Sequence, residues 1–195
     1  MIDNQKNIDA FLRVFSPEDN QTGGGTASAV AGAMAAGLVG MVARLSVGRK
    51  KMPDPDEHYE SIAREAESLA QTLFDGAHTD SIAFDAVMQG YKMPKTTDEE
   101  KAARTQAIQT GMIHATRVPL TNAESCARTL VLAKTLEGRS NTNAASDLDC
   151  AIYLATAGLR GTLSNVAINI RSIKDEMIRT ELQSRMQALE KALEK

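Results

Sequence analysis

The sequence predicts an all-α protein, an antiparallel multi-helix bundle packed around a buried helix rich in small residues. Three observations point to it. Apolar residues recur at helical spacing, as in Ile62, Leu69, Leu73, Ile82, Phe84 and Val87. No segment alternates apolar and polar residues in the manner of a half-buried strand. The stretch from Ala27 to Ala43 is almost wholly Ala, Gly, Val, Leu and Met, which suits a helix enclosed by others. At 195 residues the chain reads as a single domain over 1–195, large enough to bury a core without metals or disulfides.

Asp3 or Asn4 is expected to start a short helix through Val14, closed before Ser16-Pro17. A second helix runs from about Ala27 to Val47. In it Gly32, Ala36 and Gly40 repeat every fourth residue, with Ala29, Ala33 and Gly37 on an adjoining row. Such rows let helix backbones approach closely, in membranes and cores alike. The stretch falls short of the ~20 apolar residues of a membrane span, and Arg44 follows it directly. It reads as a core or dimer-facing helix. Pro53 and Pro55 punctuate the next connection, and a third helix covers about Asp56 to Tyr91, with Asp80-Ser81 as a possible break. Thr97 and Glu100 form a capping-box pattern for a fourth helix, expected to end or kink at Val118-Pro119. A fifth spans Leu120 to Leu136 and stops at Gly138. Ser146 or Asn143 is placed to cap a sixth, from Asp147 to Ile170, and a charged helix runs from Ser172 to Lys195.

Composition narrows the function classes. A net charge of -3 gives no reason to expect a nucleic-acid partner. Cys126 and Cys150 lie far apart in apolar company and read as buried free thiols. His58, His78 and His114 are scattered, so no metal-ligand set is visible. Met1 to Lys6 is polar rather than a basic-then-apolar leader, and the expectation is a cytoplasmic protein.

The most informative segment is Gln21-Thr22-Gly23-Gly24-Gly25-Thr26-Ala27-Ser28. Glycine allows close approach of a ligand or a second backbone. Thr26 is placed to cap the following helix, whose first amides favour anions. The segment lacks the Lys-Ser/Thr ending of a P-loop, and no strand precedes it. Taken alone, it is equally a tight loop at a closely packed helix start.

Three further segments turn this into a family pattern. They are Asp80-Ser81-Ile82-Ala83-Phe84-Asp85-Ala86-Val87-Met88 leading to Tyr91-Lys92-Met93-Pro94-Lys95, then Ala115-Thr116-Arg117-Val118-Pro119-Leu120, and Asn141-Thr142-Asn143-Ala144-Ala145-Ser146-Asp147 with Asn165-Val166-Ala167-Ile168-Asn169 downstream. With the glycine segment and Leu45-Ser46-Val47-Gly48-Arg49-Lys50-Lys51, the chain resembles the methenyltetrahydrofolate cyclohydrolase and formiminotetrahydrofolate cyclodeaminase family. It departs from the usual pattern at Gln21-Thr22, where proline is common, and at Met52, where an aromatic residue is common.

The resemblance implies an all-helical, homodimeric enzyme of tetrahydrofolate metabolism that acts on a folate-type substrate, without metal or organic cofactor and without nucleic-acid or membrane partners. A cyclohydrolase adds water to the amidine carbon of methenyltetrahydrofolate and opens the ring to formyltetrahydrofolate. A cyclodeaminase closes that ring from the formimino compound and expels ammonia. Both pass through a tetrahedral carbon and need proton transfer. The free-standing chain favours the cyclohydrolase, with the cyclodeaminase as alternative and a non-catalytic folate-binding dimer beyond it.

The catalytic candidates are Asp80, Lys51 and Asp147. Gly23, Gly24, Gly25, Thr26, Arg49, Lys50, Phe84, Asn141, Asn143 and Ser146 are the substrate-binding candidates. Asp80 and Asp85, five residues apart, do not share a helical face, and Asp80 opens the motif. Its alternative is an N-cap at a helix break. Asp147, with Asn141, Asn143 and Ser146, suits the hydrogen-bonding edge of a pterin, or simply caps a helix. Arg49, Lys50 and Lys51 suit a glutamate tail or, for a lysine, proton donation. Solvated residues at a helix C-terminus are the plain reading. Asp175 reads as lining a cleft or belonging to a surface ion-pair network.

Overall fold

The computed structural model describes residues 12–16, 18 and 22–194, apart from the side chains of residues 192 and 194. Five α-helices follow in order: α1 (Gly24–Arg44), α2 (Asp56–Lys92), α3 (Asp98–Leu136), α4 (Ala145–Ile170) and α5 (Glu176–Glu190). Short 3-10 turns span Thr142–Ala144 and Lys191–Glu194. Among the described residues there is no strand. The expected first helix lies for the most part outside these residues; residues 12–14 are helical.

The first four helices form the bundle. Val39, Val42 and Ala43 of α1 pack with Tyr59, Ile62 and Ala63 of α2, with Leu132 and Leu136 of α3, and with Leu148 and Ala151 of α4. At the other end of α1, Gly25 meets Asp80 of α2 and Asn165 of α4. Helices α2 and α4 therefore run antiparallel to α1, and α3 runs parallel to it. Most of α1's apolar window is buried inside the fold, as a core helix requires. Gly32, Ala36 and Gly40 serve packing within the chain. A Cβ at Gly32 would collide with Cys126 Sγ, and one at Gly158 of α4 would lie 2.9 Å from the Ser28 carbonyl oxygen. Gly37, by contrast, meets nothing and is exposed beside Met34 and Met41.

Helices α2 and α3 continue past the start of α1. A second core of Ala83, Val87, Met112, Leu120, Val166 and Ile170 fills this overhang, and α5 covers it with Leu182, Ile178, Met186 and Leu189. An Arg185–Glu124 ion pair at 2.7 Å also fastens α5 to α3.

Several boundaries differ from expectation. Helix α1 starts at Gly24, so Thr26 sits inside its first turn and does not cap it. Helix α2 is unbroken through Asp80-Ser81, which removes the N-cap reading of Asp80. The expected fourth and fifth helices are one, because α3 passes through Pro119 without ending. Proline deprives the carbonyl four residues earlier of its helical donor. Here that carbonyl, on Ala115, accepts instead from Asn169 Nδ2 at 2.8 Å. A tertiary hydrogen bond thus offsets the cost of an internal proline.

The capping box at Thr97 is formed, with Thr97 Oγ1 accepting from the Glu100 amide at 3.2 Å. Neither Ser146 nor Asn143 caps α4. Asn141 caps the preceding 3-10 turn, accepting from the Asn143 amide at 3.1 Å. Asp175 is the N-cap of α5, accepting from the amides of Met177 and Ile178 at 3.0 and 3.1 Å. The closing helix begins only at Glu176, because Ser172 and Ile173 still turn off α4. Cys126 is buried, whereas Cys150 is exposed.

Candidate functional site

A cavity of about 230 Å³ opens where α1 begins, lined by Gly23, Asp80, Phe84, Ala115, Asn165, Ile168 and Asn169. Asp80 is its one acidic group. Thr26 Oγ1 donates to Asp80 Oδ2 at 2.9 Å, and the Thr26 backbone adds a second hydrogen bond. Asp80 thus satisfies the open first turn of α1 from a neighbouring helix, which supplies what a side-chain N-cap would otherwise give. Burial raises its pKa above the ordinary 3.8, while the two Thr26 hydrogen bonds pull it down. Desolvation is the larger effect and sets the direction.

Gly25 makes the approach of these groups possible. A Cβ there would meet Asp80 Oδ2 at 2.7 Å and Asn165 Nδ2 at 2.9 Å. Asn165 is fixed in turn, since its Oδ1 accepts from Asn169 Nδ2 at 3.0 Å. The order of support runs from Pro119, which frees the Ala115 carbonyl, through Asn169 and Asn165 to the wall facing Asp80. Phe84 and Ile168 are exposed apolar residues of the lining, suited to flank a flat ligand. Gly23 and Gly24 are open, with nothing within 4 Å of a built Cβ.

The remaining candidates lie at the opposite end of α1. Helix α1 has 21 residues, so its ends are about 30 Å apart. There Asn141 is buried and anchors a loop: its amide donates to Ser46 Oγ at 2.9 Å and its Nδ2 to the Leu45 carbonyl at 3.0 Å. Arg49, Lys50 and Lys51 project from this anchored turn and are exposed, as are Asn143 and Ser146; Asp147 is half-buried. Lys51 holds a left-handed backbone at φ 68°, the sole non-glycine residue to do so among those described. One chain therefore brings Asp80, Gly23, Gly25, Thr26 and Phe84 together. It does not bring Lys51 or Asp147 to them.

Asn165 and Asn169 belong to a family segment and line the site without being expected there from sequence. Their signal was two amides four apart on one face of an otherwise apolar helix. Asp85 lies outside the cavity, and its Oδ1 is buried without a partner. Among the described residues no three His, Cys, Asp or Glu side chains converge on one point.

The family described as formiminotransferase-cyclodeaminase matches residues 7–188. The chain belongs to this family. It is similar to a methenyltetrahydrofolate cyclohydrolase of Methylorubrum extorquens, 37% identical over 93% of this chain and 88% of that one. It is also similar to the formimidoyltransferase-cyclodeaminase of Rattus norvegicus, 30% identical over 95% of this chain but only 35% of that longer protein. The solved structure of formiminotetrahydrofolate cyclodeaminase from Thermotoga maritima superposes with a TM-score of 0.82 at 29% identity, covering 94% of this chain and 88% of that one. The all-helical bundle is thus the fold of the formiminotransferase-cyclodeaminase family.

Proposed function

We propose that the chain hydrolyses methenyltetrahydrofolate to formyltetrahydrofolate in the Asp80 cavity. The observation that carries this reading is a half-buried carboxylate with a raised pKa, held by Thr26 beside a wall of two linked amides. The 37% identity to a cyclohydrolase along nearly the whole chain supports it. The substrate's amidine carbon bears delocalised positive charge, which a desolvated carboxylate attracts strongly. Asp80 accepts a proton from water as the oxygen attacks that carbon. The tetrahedral carbon then carries a hydroxyl between two nitrogens. Protonation of one nitrogen and cleavage of its C–N bond leave the formyl group on the other, with net release of one proton. Asn165 and Asn169 orient the water and the ring, and Phe84 stacks on the pterin.

Lys51, Arg49, Lys50, Asn143, Ser146 and Asp147 join this site from a second copy of the chain. Met34, Gly37, Met41 and Leu45 leave α1 with an exposed apolar stripe. Two such stripes packed antiparallel about a two-fold axis set the start of each α1 beside the basic turn of the other. The acidic cavity then gains cations, one to donate the proton to the leaving nitrogen and others for the substrate's carboxylates. A soluble substrate of this kind suits a cytoplasmic enzyme. The reaction requires no cofactor, so dialysis against EDTA leaves the rate unchanged.

The test is the decay of methenyltetrahydrofolate absorbance against the buffer-only rate. Acceleration in proportion to protein is the expected result, and its absence sinks the proposal. The second reading, ring closure of formiminotetrahydrofolate with loss of ammonia, is favoured by the likeness to the Thermotoga structure. Ammonia release from that substrate distinguishes it.

A further inference from the structure

A second cavity, of about 370 Å³, lies between α2 and α3 and shares no lining residue with the first. Its two walls differ in hydrogen-bonding character. The α2 wall offers acceptors. Thr72 and Thr79 have committed their hydroxyl hydrogens to the carbonyls of Ser68 and Asp75, so each hydroxyl oxygen is left to accept. Asp75 has one carboxylate oxygen bonded to Gln71 Nε2 at 3.0 Å, which leaves the other for a ligand.

The α3 wall offers donors. Arg117 and His114 line the cavity without a hydrogen-bond or ion-pair partner from the chain. Asn122 also lines it, 1% exposed, and its Nδ2 is buried without a partner. At Gly76 the amide oxygen of Asn122 is pressed so closely that any Cβ would overlap it, which fixes the side chain in place. A buried N–H left unpaired keeps its desolvation penalty, which a ligand oxygen at this point would recover.

Acceptors with a negative charge on one wall and donors with a positive charge on the other match a ligand with the reverse arrangement. A plain anion would face Asp75, and a plain cation would face Arg117. We propose that this groove binds a zwitterionic α-amino acid, carboxylate toward Arg117 and Asn122, ammonium toward Asp75 and the two threonine hydroxyls. The site is separate from the Asp80 cavity and stands whatever reaction occurs there.

Titration calorimetry on the whole protein with L-alanine and L-glutamate, against propionate and glutarate, tests the charge pattern. At least one amino acid is expected to bind once per chain, with Kd in the millimolar range or tighter, and its deaminated counterpart about tenfold or more weaker. Arg117→Gln and Asp75→Asn change exposed side chains and should each weaken binding by about tenfold or more. The Asn122 side-chain amide resonances should shift on binding. The proposal fails if neither amino acid binds, if propionate or glutarate binds as well as its amino counterpart, if either variant binds like the parent, or if the Asn122 amide stays unmoved.

Discussion

Asp80 joins partial burial to ionisation in one residue, and that combination is measurable. Its native pKa is raised above 3.8, mainly by desolvation. The native state therefore holds this proton more readily than the unfolded chain does. The stability so contributed is full below the unfolded value and is lost as pH rises through the raised native one. Asp80→Asn, which removes the charge, should melt at a higher temperature than the parent at neutral pH. The difference should shrink as pH falls toward 3.8, and melting curves along a pH series check this. If the carboxylate is the base, kcat/KM should fall on acidification with its limb above 3.8, and Asp80→Asn should lose about 100- to 10,000-fold in turnover. The cysteines give a second test at this scale. Burial pushes the Cys126 thiol up to about 12, while Cys150 is exposed. A disulfide-exchange reagent should titrate one thiol quickly in the native protein and the second only on unfolding.

Among the elements, α3 shows where local reading succeeds and where it fails. Its start was legible because a capping box is closed within four residues, Thr97 to Glu100. Its passage through Pro119 was not, because the compensating donor comes from Asn169, 54 residues from Ala115. The same distance hid the role of the two asparagines. Their spacing is visible in sequence, but what fixes them is a carbonyl freed on another helix. Pro119→Ala restores an amide and lets Ala115 take back an intrahelical bond. Asn169 then competes for that carbonyl and Asn165 loosens. The expected result is a melting temperature unchanged or slightly higher with kcat/KM lowered about tenfold, a split that stability and rate measurements resolve.

At the scale of the whole molecule, the motifs were legible and their destination was not. The glycine segment, the Asp80 segment and the basic turn each stood out by residue type. Nothing local states that a 21-residue helix holds the first two about 30 Å from the third. The proposed antiparallel pair of chains would close the separation and makes a strict prediction. Asp80→Asn and Lys51→Ala should each be nearly inactive alone. Mixed, unfolded and refolded together, they should recover about a quarter of the parent activity, since half the dimers are mixed and each holds one intact site. No recovery would place both residues in separate roles within one chain.

The overhang of α2 and α3 also governs the order in which the chain is completed. Leu120, Met112, Val87 and Ala83 lie beneath α5, which follows the four bundle helices in the chain. Until residues 176–190 have left the ribosome, the end of the bundle that holds the Asp80 cavity has an uncovered apolar floor. The four preceding helices can associate before α5 is available, but the finished cavity requires it. A premature stop just before α5 leaves a nascent bundle in need of a chaperone rather than a shorter enzyme.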